Sequence, residues 1–320
     1  MTSMAGSSAR KKILFTGGGG AGTEALNHLL TDKYEVHFAD ADVESKPCSI
    51  RPDRWHQIPL GNSPEFIKKI KQLCGSLKID KLVPGVDEEL LQIAIHQDEI
   101  GSDVLLPSAD FIQIHLDKYT SMQSMQAQGL PIPVTRFPAE VDDIGFPCVV
   151  KPREGRGSRG VVIVDDVDEM KAHILLSKKP ASDFIVQELL VGQEYTVMVV
   201  ADKSAKLRAV VPVKVDVKRG ITIRAETENC KSVINYCKKL HDCYVESGVY
   251  NIQLIVTTSG EIKTFEINPR ISTTTCLAYA GGVDFLHESI QSAHAESSQL
   301  LPFINGVKLR RSWINEFTYP

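Results

Sequence analysis

Strand-like and helix-like segments alternate through the first third of the chain, from Lys11 to about Pro107. The strand-like runs are KKILFT, YEVHFAD, KLVPG and DVLLPS, and the helix-like segments are GTEALNHLL, SPEFIKKIKQLCGSLK and DEELLQIAIHQDEI. Such alternation is typical of a parallel, doubly wound sheet, in which ligands gather at the carboxyl ends of the strands. It predicts an N-terminal α/β domain over residues 11–108, after a disordered tail over residues 1–10.

The first junction between strand and helix, ILFTGGGGAGTEAL, raises the question of a dinucleotide site. Gly17–Gly22 form a glycine loop, and Asp40 ends the next strand, where dinucleotide-binding domains hold a ribose hydroxyl. A tight turn between a strand and a helix uses the same glycines without binding a dinucleotide. This stretch alone therefore leaves open both a dehydrogenase and a domain that only imitates the dinucleotide fold.

The pattern changes after DKYTSMQSMQAQGLPIP, which predicts a helix ending at Gly129 ahead of two prolines. The β-branched runs that follow are separated by short turns, which favours antiparallel pairing. The last two runs, in YNIQLIVTTSGEIKTFEINPR, predict a hairpin turning on Ser259–Gly260. Helices are predicted for VDEMKAHILLSKK and NCKSVINYCKKLHDCY, and another begins near Thr274. This half of the pattern predicts an α+β domain over residues 109–320.

Composition limits the partners that the chain is expected to have. The net charge is −4, and no apolar run approaches the roughly 20 residues that span a bilayer, so neither nucleic acid nor a membrane is expected as a partner. The seven cysteines are scattered and form no CxxC pair, which fits reduced thiols and a cytoplasmic location.

The predicted hairpin carries the most informative residues. Glu266 and Asn268 are two positions apart on a strand and share one face, whereas Phe265 and Ile267 are expected to point into the core. Gln253, on the preceding strand, is expected beside Glu266. One carboxylate and two amide oxygens suit a Mg²⁺ ion held jointly with nucleotide phosphates. A polar, solvated strand face is the alternative.

Two further segments have features of phosphate and base binding. Lys151 ends an apolar strand and precedes the glycine-rich, basic loop REGRGSRG. Backbone N–H groups of such a loop can close over phosphates, although a basic surface hairpin has the same composition and the Walker A spacing is absent. The stretch FIVQELLVGQEYTV can offer backbone groups to a base and Glu194 to a ribose. Arg270, just past the hairpin, adds a forked cation for a terminal phosphate.

In this order the segments resemble the ATP-grasp superfamily, most closely the ATP-binding halves of the carbamoyl-phosphate synthase large subunit and its stand-alone carboxylate–amine ligase relatives. The resemblance covers essentially the whole chain. It implies an α/β fold with a parallel pre-ATP-grasp domain that binds no NAD (residues 11–108). An α+β ATP-grasp domain of two lobes follows (residues 109–320, the smaller lobe at about 136–191).

The resemblance also implies a role for each matching residue. Lys118 and Lys151 would contact ATP phosphates, and the loop of Gly155, Gly157, Ser158 and Gly160 would cover them. Glu188 and Leu190 would meet adenine, largely through backbone groups, and Glu194 would meet the ribose. Gln253, Glu266 and Asn268 would hold Mg²⁺, with Mn²⁺ as the alternative ion, and Arg270 would hold the transferring phosphate. Many relatives have an acidic residue where Gln253 stands, so the number of tightly bound ions, one or two, is left open.

The implied activity is ATP-dependent ligation of a small carboxylate to an amine through an acyl phosphate, with release of ADP and phosphate. A small-molecule kinase and a catalytically silent nucleotide-binding module of the same fold are the alternatives. Lys214, Arg219 and Arg224 are candidates for an anionic substrate, and Glu89 for an amine. Each has a purely structural alternative, a solvated strand cation or an acid at a helix N-terminus. The oligomeric state, a homodimer included, is left open.

Overall fold

The computed structural model describes residues 10–289, 299–313, 315 and 317. Apart from Arg10, the predicted disordered tail lies outside the described residues. The chain divides into two compact units, with the boundary between Leu105 and Leu106.

The first unit is built on a parallel sheet with the strand order β3-β2-β1-β4-β5. Its strands are β1 (Lys12–Thr16), β2 (Glu35–Asp40), β3 (Trp55–Gln57), β4 (Lys81–Val83) and β5 (Asp103–Val104), and its helices are α1 (Thr23–Leu30), α2 (Phe66–Leu77), α3 (Asp87–Ile95) and α4 (Gln97–Ile100). The predicted parallel, doubly wound arrangement is confirmed. The run DVLLPS forms a strand only at its first two residues, and the helix predicted for DEELLQIAIHQDEI is interrupted at His96.

The glycine loop of this unit is a tight turn whose glycines are required by packing. A Cβ atom on Gly18 would lie 2.8 Å from the Trp55 ring, and one on Gly19 would lie 2.3 Å from the Ser45 hydroxyl. The Asp40 carboxylate accepts a hydrogen bond from the Gly19 N–H at 2.8 Å. Neighbouring side chains of the same unit thus account for these glycines and for Asp40 without any ligand.

The second unit contains two antiparallel sheets, with the orders β14-β13-β10-β11-β12-β15 and β6-β9-β7-β8. The strands are β6 (Thr135–Arg136), β7 (Cys148–Pro152), β8 (Val162–Val164), β9 (Phe184–Glu188), β10 (Gly192–Ala201), β11 (Leu207–Arg219), β12 (Ile221–Thr227), β13 (Gly248–Thr257), β14 (Ile262–Asn268) and β15 (Lys308–Arg310), and the helices are α5 (Ala109–Leu116), α6 (Lys118–Ala127), α7 (Val167–Ser177), α8 (Lys231–Tyr244), α9 (Thr275–Ala280) and α10 (Phe285–Glu288). The antiparallel pairing and the hairpin between β13 and β14 were expected from the sequence, and both are confirmed.

Helices α5, α6 and α8 cover one face of the six-stranded sheet, and the opposite face packs only in part against α9, which leaves room for a site. Tyr250, Ile252 and Leu254 of β13 are fully buried in the core that α5, α6 and α8 complete. Because side chains alternate along a strand, the intervening positions face the other way. Gln253 is one of them.

Among the described residues, no helix is both long and apolar enough to cross a membrane.

Candidate active site

A cavity of about 270 Å³ lies in the second unit and is lined by both of its sheets. Eleven of the residues predicted to form the nucleotide and metal site line it: Lys118, Lys151, Gly155, Gly157, Ser158, Glu188, Leu190, Gln253, Glu266, Asn268 and Arg270. These positions are spread over more than 150 residues of sequence, so the fold is what brings them into one cleft.

The β13–β14 hairpin supplies the oxygen atoms of the cleft. Its turn places Gly260 at φ +85°, a backbone conformation that favours glycine. Gln253 pairs directly with Glu266 across the hairpin, which confirms their predicted proximity, and Asn268 lies two positions beyond Glu266. Phe265 does not point into the core as expected. The register shifts between Gln253 and Leu254, so Phe265 is an extra residue on its strand and lines the cleft.

The donor set of the hairpin fits Mg²⁺ held together with a nucleotide. Gln253, Glu266 and Asn268 offer one carboxylate and two amide oxygens, which are ligands suited to a hard divalent ion. Among the described residues, no group of three or more histidine, cysteine or acidic side chains is placed to hold a metal ion. A divalent ion in this cleft would complete its coordination with oxygens of a bound nucleotide or of water.

Two buried lysines flank these oxygens. Lys151 is only 4% exposed and donates from Nζ to the Phe265 carbonyl at 3.2 Å. Its burial lowers its pKa to about 8; the nearby Glu266 opposes this shift, and Lys118 and Lys218 add to it. Lys118, at the start of α6, donates from Nζ to the Gly155 carbonyl at 2.8 Å and lies 3.8 Å from a Glu266 oxygen. Both ammonium groups are thus held near the Glu266 carboxylate.

The glycine-rich loop adopts the left-handed conformations that its sequence permits. Gly155, Gly157 and Gly160 have φ values of +111°, +68° and +71°, and Ser158 has +57°. Gly155 and Gly157 line the cleft with Ser158, whereas Gly160 does not. The Ser158 hydroxyl reaches the Gly220 carbonyl, on the turn between β11 and β12, at 3.5 Å.

The predicted base-binding residues occupy the end of β9. The Glu188 carboxylate is engaged by Lys263 Nζ at 3.0 and 3.1 Å and by the Val134 N–H at 3.1 Å. Its side chain is therefore committed to the protein, which leaves main-chain groups of this segment for a ligand. Glu194 does not itself line the cleft and is paired with Lys218, which does.

Lys218 is a residue of the cleft that the sequence did not indicate. Its Nζ donates to Glu194 and to Gln253 Oε1, the latter at 3.4 Å, and lies 5.7 Å from the centre of the Phe265 ring. Strict alternation from Val213, on the cleft side, would point Lys218 away from the cleft. Register shifts around Val217 change that parity. To predict that Lys218 faces the cleft, the sequence would have had to indicate a β-bulge near Val217, and the residue types there do not indicate one.

Arg270 lines the cleft just past the hairpin, after Pro269. Its Nη1 donates to the Ile271 carbonyl at 3.0 Å, and its own carbonyl accepts from Asn251 Nδ2. Arg311, which follows β15, donates from Nε to the Thr222 carbonyl at 2.9 Å and from Nη2 to the Thr273 carbonyl. Since Thr222 and Thr273 both line the cleft, Arg311 ties two of its walls together.

The four residues predicted to meet the ligated substrates do not line this cleft. Lys214 pairs with Tyr195, which faces the helix-covered core, so it lies on the opposite face from Gln253. Arg224 is adjacent to Ala225, which pairs with Val215 on the cleft side, and so it also points away.

Arg219 is exposed at the turn beside Gly220. Glu89 belongs to the first unit, where it is 2% exposed. Its carboxylate accepts hydrogen bonds from Thr16 Oγ1 and from the N–H groups of Gly85 and Val86. Those bonds cap the N-terminus of α3. Glu89 thus has the structural role, an acid at a helix N-terminus, that was the alternative to binding an amine.

Comparison with curated proteins finds relatives among carbamoyl phosphate synthase large chains. The protein of Thermus thermophilus is 24% identical over 308 residues, covering 84% of this chain and 30% of that protein. The N-terminal section from Aquifex aeolicus is 24% identical over 309 residues, covering 84% of this chain and 55% of that protein. The chain thus spans about a quarter to a half of the length of such relatives.

Solved structures with the same fold include L-amino acid ligase from Bacillus licheniformis, with a TM-score of 0.68 and 14% identity over 92% of this chain and 78% of that one. N5-carboxyaminoimidazole ribonucleotide synthetase from Thermotoga maritima has a TM-score of 0.58 and 21% identity over 85% of this chain and 71% of that one. At such identities the likeness shows the fold alone. Residues 115–274, half of the chain, match the ATP-grasp domain. Every described residue that lines the cleft lies within this range. The chain belongs to the ATP-grasp family.

Proposed function

We propose that this chain is an ATP-dependent carboxylate–amine ligase that forms an amide through an acyl phosphate and releases ADP and phosphate. The observation that carries the proposal is the convergence of Lys118, Lys151 and Arg270 on the strand face that bears Glu266 and Asn268. Cations and oxygen ligands gathered in one cleft suit the phosphate chain of ATP and the charge that develops during phosphoryl transfer.

In the proposed reaction, a carboxylate oxygen of the acid attacks the γ-phosphorus of ATP, and the bond to the bridging oxygen breaks to release ADP. The amine then attacks the acyl carbon, inorganic phosphate leaves, and the amine loses a proton. Lys118 and Lys151 would hold the phosphate chain, and Arg270 would hold the transferred group. The protein contributes position and fixed charge rather than a covalent intermediate of its own.

Glu266, Asn268 and Gln253 are the residues that would hold Mg²⁺ in this reaction. When bound, the ion would neutralise phosphate charge and align the terminal phosphate for transfer. Glu188 through Leu190 would receive the base, with main-chain groups making the contact because the Glu188 carboxylate is already paired with Lys263.

Product analysis tests the proposal. The purified chain is incubated with ATP, Mg²⁺ and a panel of amino acids and other small carboxylates, singly and in pairs with amines, and nucleotides are separated by chromatography. We expect ADP and phosphate, with full turnover only when an acid and an amine are both present. AMP as the main product would overturn the acyl-phosphate mechanism.

The same assay separates the alternatives. ADP formed at full rate with an acceptor alone, together with a stable phosphorylated product, would identify a kinase. Binding of an ATP analogue with no ADP formed from any pair would identify a silent nucleotide-binding module.

A further inference from the structure

Lys218 places a positive charge beside Gln253, one of the proposed magnesium ligands, and the proposed function assigns Lys218 itself no role. Its ammonium group donates to the Glu194 carboxylate and lies 3.4 Å from Gln253 Oε1, an amide oxygen of the proposed magnesium ligands. It also lies over the Phe265 ring, at 5.7 Å from the ring centre. These contacts fix the ammonium at the Gln253 end of the oxygen set.

Glu266 and Asn268 form the other end of the set of proposed magnesium ligands, and the charge there is different. Glu266, which pairs with Gln253 across the hairpin, has Lys118 Nζ 3.8 Å from one of its carboxylate oxygens. Glu266 is the ligand with a full negative charge, whereas Gln253 is neutral. A lysine lies beside each end, but only at the Glu266 end does it face a full negative charge of the ligand set. A divalent ion is therefore attracted to the Glu266 and Asn268 end rather than to the neutral amide of Gln253.

The charge of the whole cleft lining points the same way. Among the described residues, six cationic side chains line it against three carboxylates. One of the three carboxylates, Glu188, is paired with Lys263, and one of the six cations, Lys218, is paired with Glu194, which lies outside the lining; five cations and two carboxylates remain. Phosphates entering this cleft meet an excess of fixed positive charge and need less divalent charge for neutralisation. A second divalent ion beside Gln253 would also be repelled by the Lys218 ammonium at close range.

We propose that Lys218 is a resident cation that takes the place of a second divalent ion, so that the nucleotide-bound cleft holds one tightly bound Mg²⁺. This inference rests on the proposed nucleotide site. Lys218 is a positioning residue in this account: it supplies charge at the Gln253 end and keeps a second divalent ion from binding there, while Gln253 stays available to the single Mg²⁺ that it would share with Glu266 and Asn268.

The test counts bound Mn²⁺ by electron paramagnetic resonance of the free ion, in the presence of a saturating non-hydrolysable ATP analogue. The parent chain is expected to bind one Mn²⁺ per bound nucleotide. Lys218→Met, which keeps the length of the side chain and removes its charge, is expected to bind a second Mn²⁺ at least about tenfold more tightly than the parent does. Lys218→Arg keeps the cation and is expected to bind one.

Lys263→Met is the matched control, because Lys263 pairs with Glu188 and Glu261, not with the oxygens of Gln253. We expect it to bind one Mn²⁺. Two Mn²⁺ ions on the parent chain, or a single one on Lys218→Met with its fold intact by circular dichroism, would overturn the inference. Failure of the parent chain to bind the ATP analogue at all would instead refute the proposed nucleotide site.

Discussion

Lys151 combines near-complete burial with a cleft that carries two other ammonium groups, and this combination should be visible in the pH dependence of ATP binding. With a pKa of about 8, the free protein has Lys151 charged below pH 8 and largely neutral above it. Bound phosphates favour the charged form, so binding above pH 8 requires uptake of a proton. We expect the affinity for an ATP analogue to fall by up to about tenfold per pH unit above pH 8.

Calorimetry between pH 7 and pH 9.5 measures this effect. Lys151→Arg, which stays charged throughout, should have an affinity that changes little over the range. An equally steep fall in that variant would assign the titration to another group.

Glu266 is the single carboxylate of the proposed magnesium ligands, so Glu266→Gln should nearly abolish turnover while the fold persists. We expect kcat to fall by about 100-fold or more even at saturating Mg²⁺, because a neutral amide holds the ion poorly as charge develops on the phosphates. Glu261→Gln, on the same hairpin and largely exposed, is the control and should keep its activity. A Glu266→Gln enzyme within a few-fold of the parent would refute the metal assignment.

At single positions, the sequence predicted well where strand alternation is undisturbed and poorly where it is broken. Glu266 and Asn268 share a face because their strand has no irregularity between them. Phe265 reaches the cleft because it is the extra residue at a register shift, and Lys218 because register shifts precede it; the residue types do not indicate either irregularity. The prediction for the substrate residues Lys214 and Arg224 rests on their positive charge and their position after the base-binding segment, without regard to the face of the strand. The structure places both on the face away from Gln253.

Among the elements, β10 depends on close contact with β13 at its first residue. A Cβ atom on Gly192 would lie 2.1 Å from the Val256 carbonyl oxygen and 2.7 Å from Thr257 Cα. Both obstacles are backbone, so the strands would have to separate. We expect Gly192→Ala to destabilise the second unit by about 1–3 kcal/mol.

Thermal unfolding followed by circular dichroism measures the loss. Gly145→Ala is the control, since no atom lies within 4 Å of the position its Cβ would take, and its melting temperature should match that of the parent. Equal melting temperatures for the two variants would show that the strands adjust without cost.

The long, periodic elements were predictable, and the short ones were not. The helix α8 and the β13–β14 hairpin have apolar patterns and turn residues that identify them locally. The strands β3 and β15 are three residues long, with the sequences WHQ and KLR, and exist because a neighbouring strand offers free hydrogen-bonding groups. Their pairing is decided by tertiary context, which a local pattern does not contain.

For the molecule as a whole, the two units predict different responses to nucleotides. The cleft of the second unit should bind an ATP analogue with Mg²⁺, and ligand binding to the folded state raises its stability, by about 2.7 kcal/mol at a concentration 100-fold above Kd. NADH should give no such effect, because Trp55 and Ser45 occupy the space beside the glycines of the first unit.

Thermal melts with each nucleotide at equal concentration compare the two responses. Gly19→Ala in the first unit should leave the shift produced by the ATP analogue unchanged. Stabilisation by NADH at micromolar concentration would return the glycine loop to the dinucleotide interpretation.

The contacts of Arg311 have a consequence for the folding of the chain during its synthesis. Arg311 holds the carbonyl of Thr222, 89 residues earlier, and β15 covers the outer edge of β12 just before it. During synthesis, β12 therefore emerges from the ribosome well before the strand that shields it. Until residues 308–311 arrive, the nascent chain exposes an unpaired strand edge, the kind of surface that recruits other strands. Premature termination upstream of Lys308 would thus leave a product prone to self-association as well as an unbraced cleft.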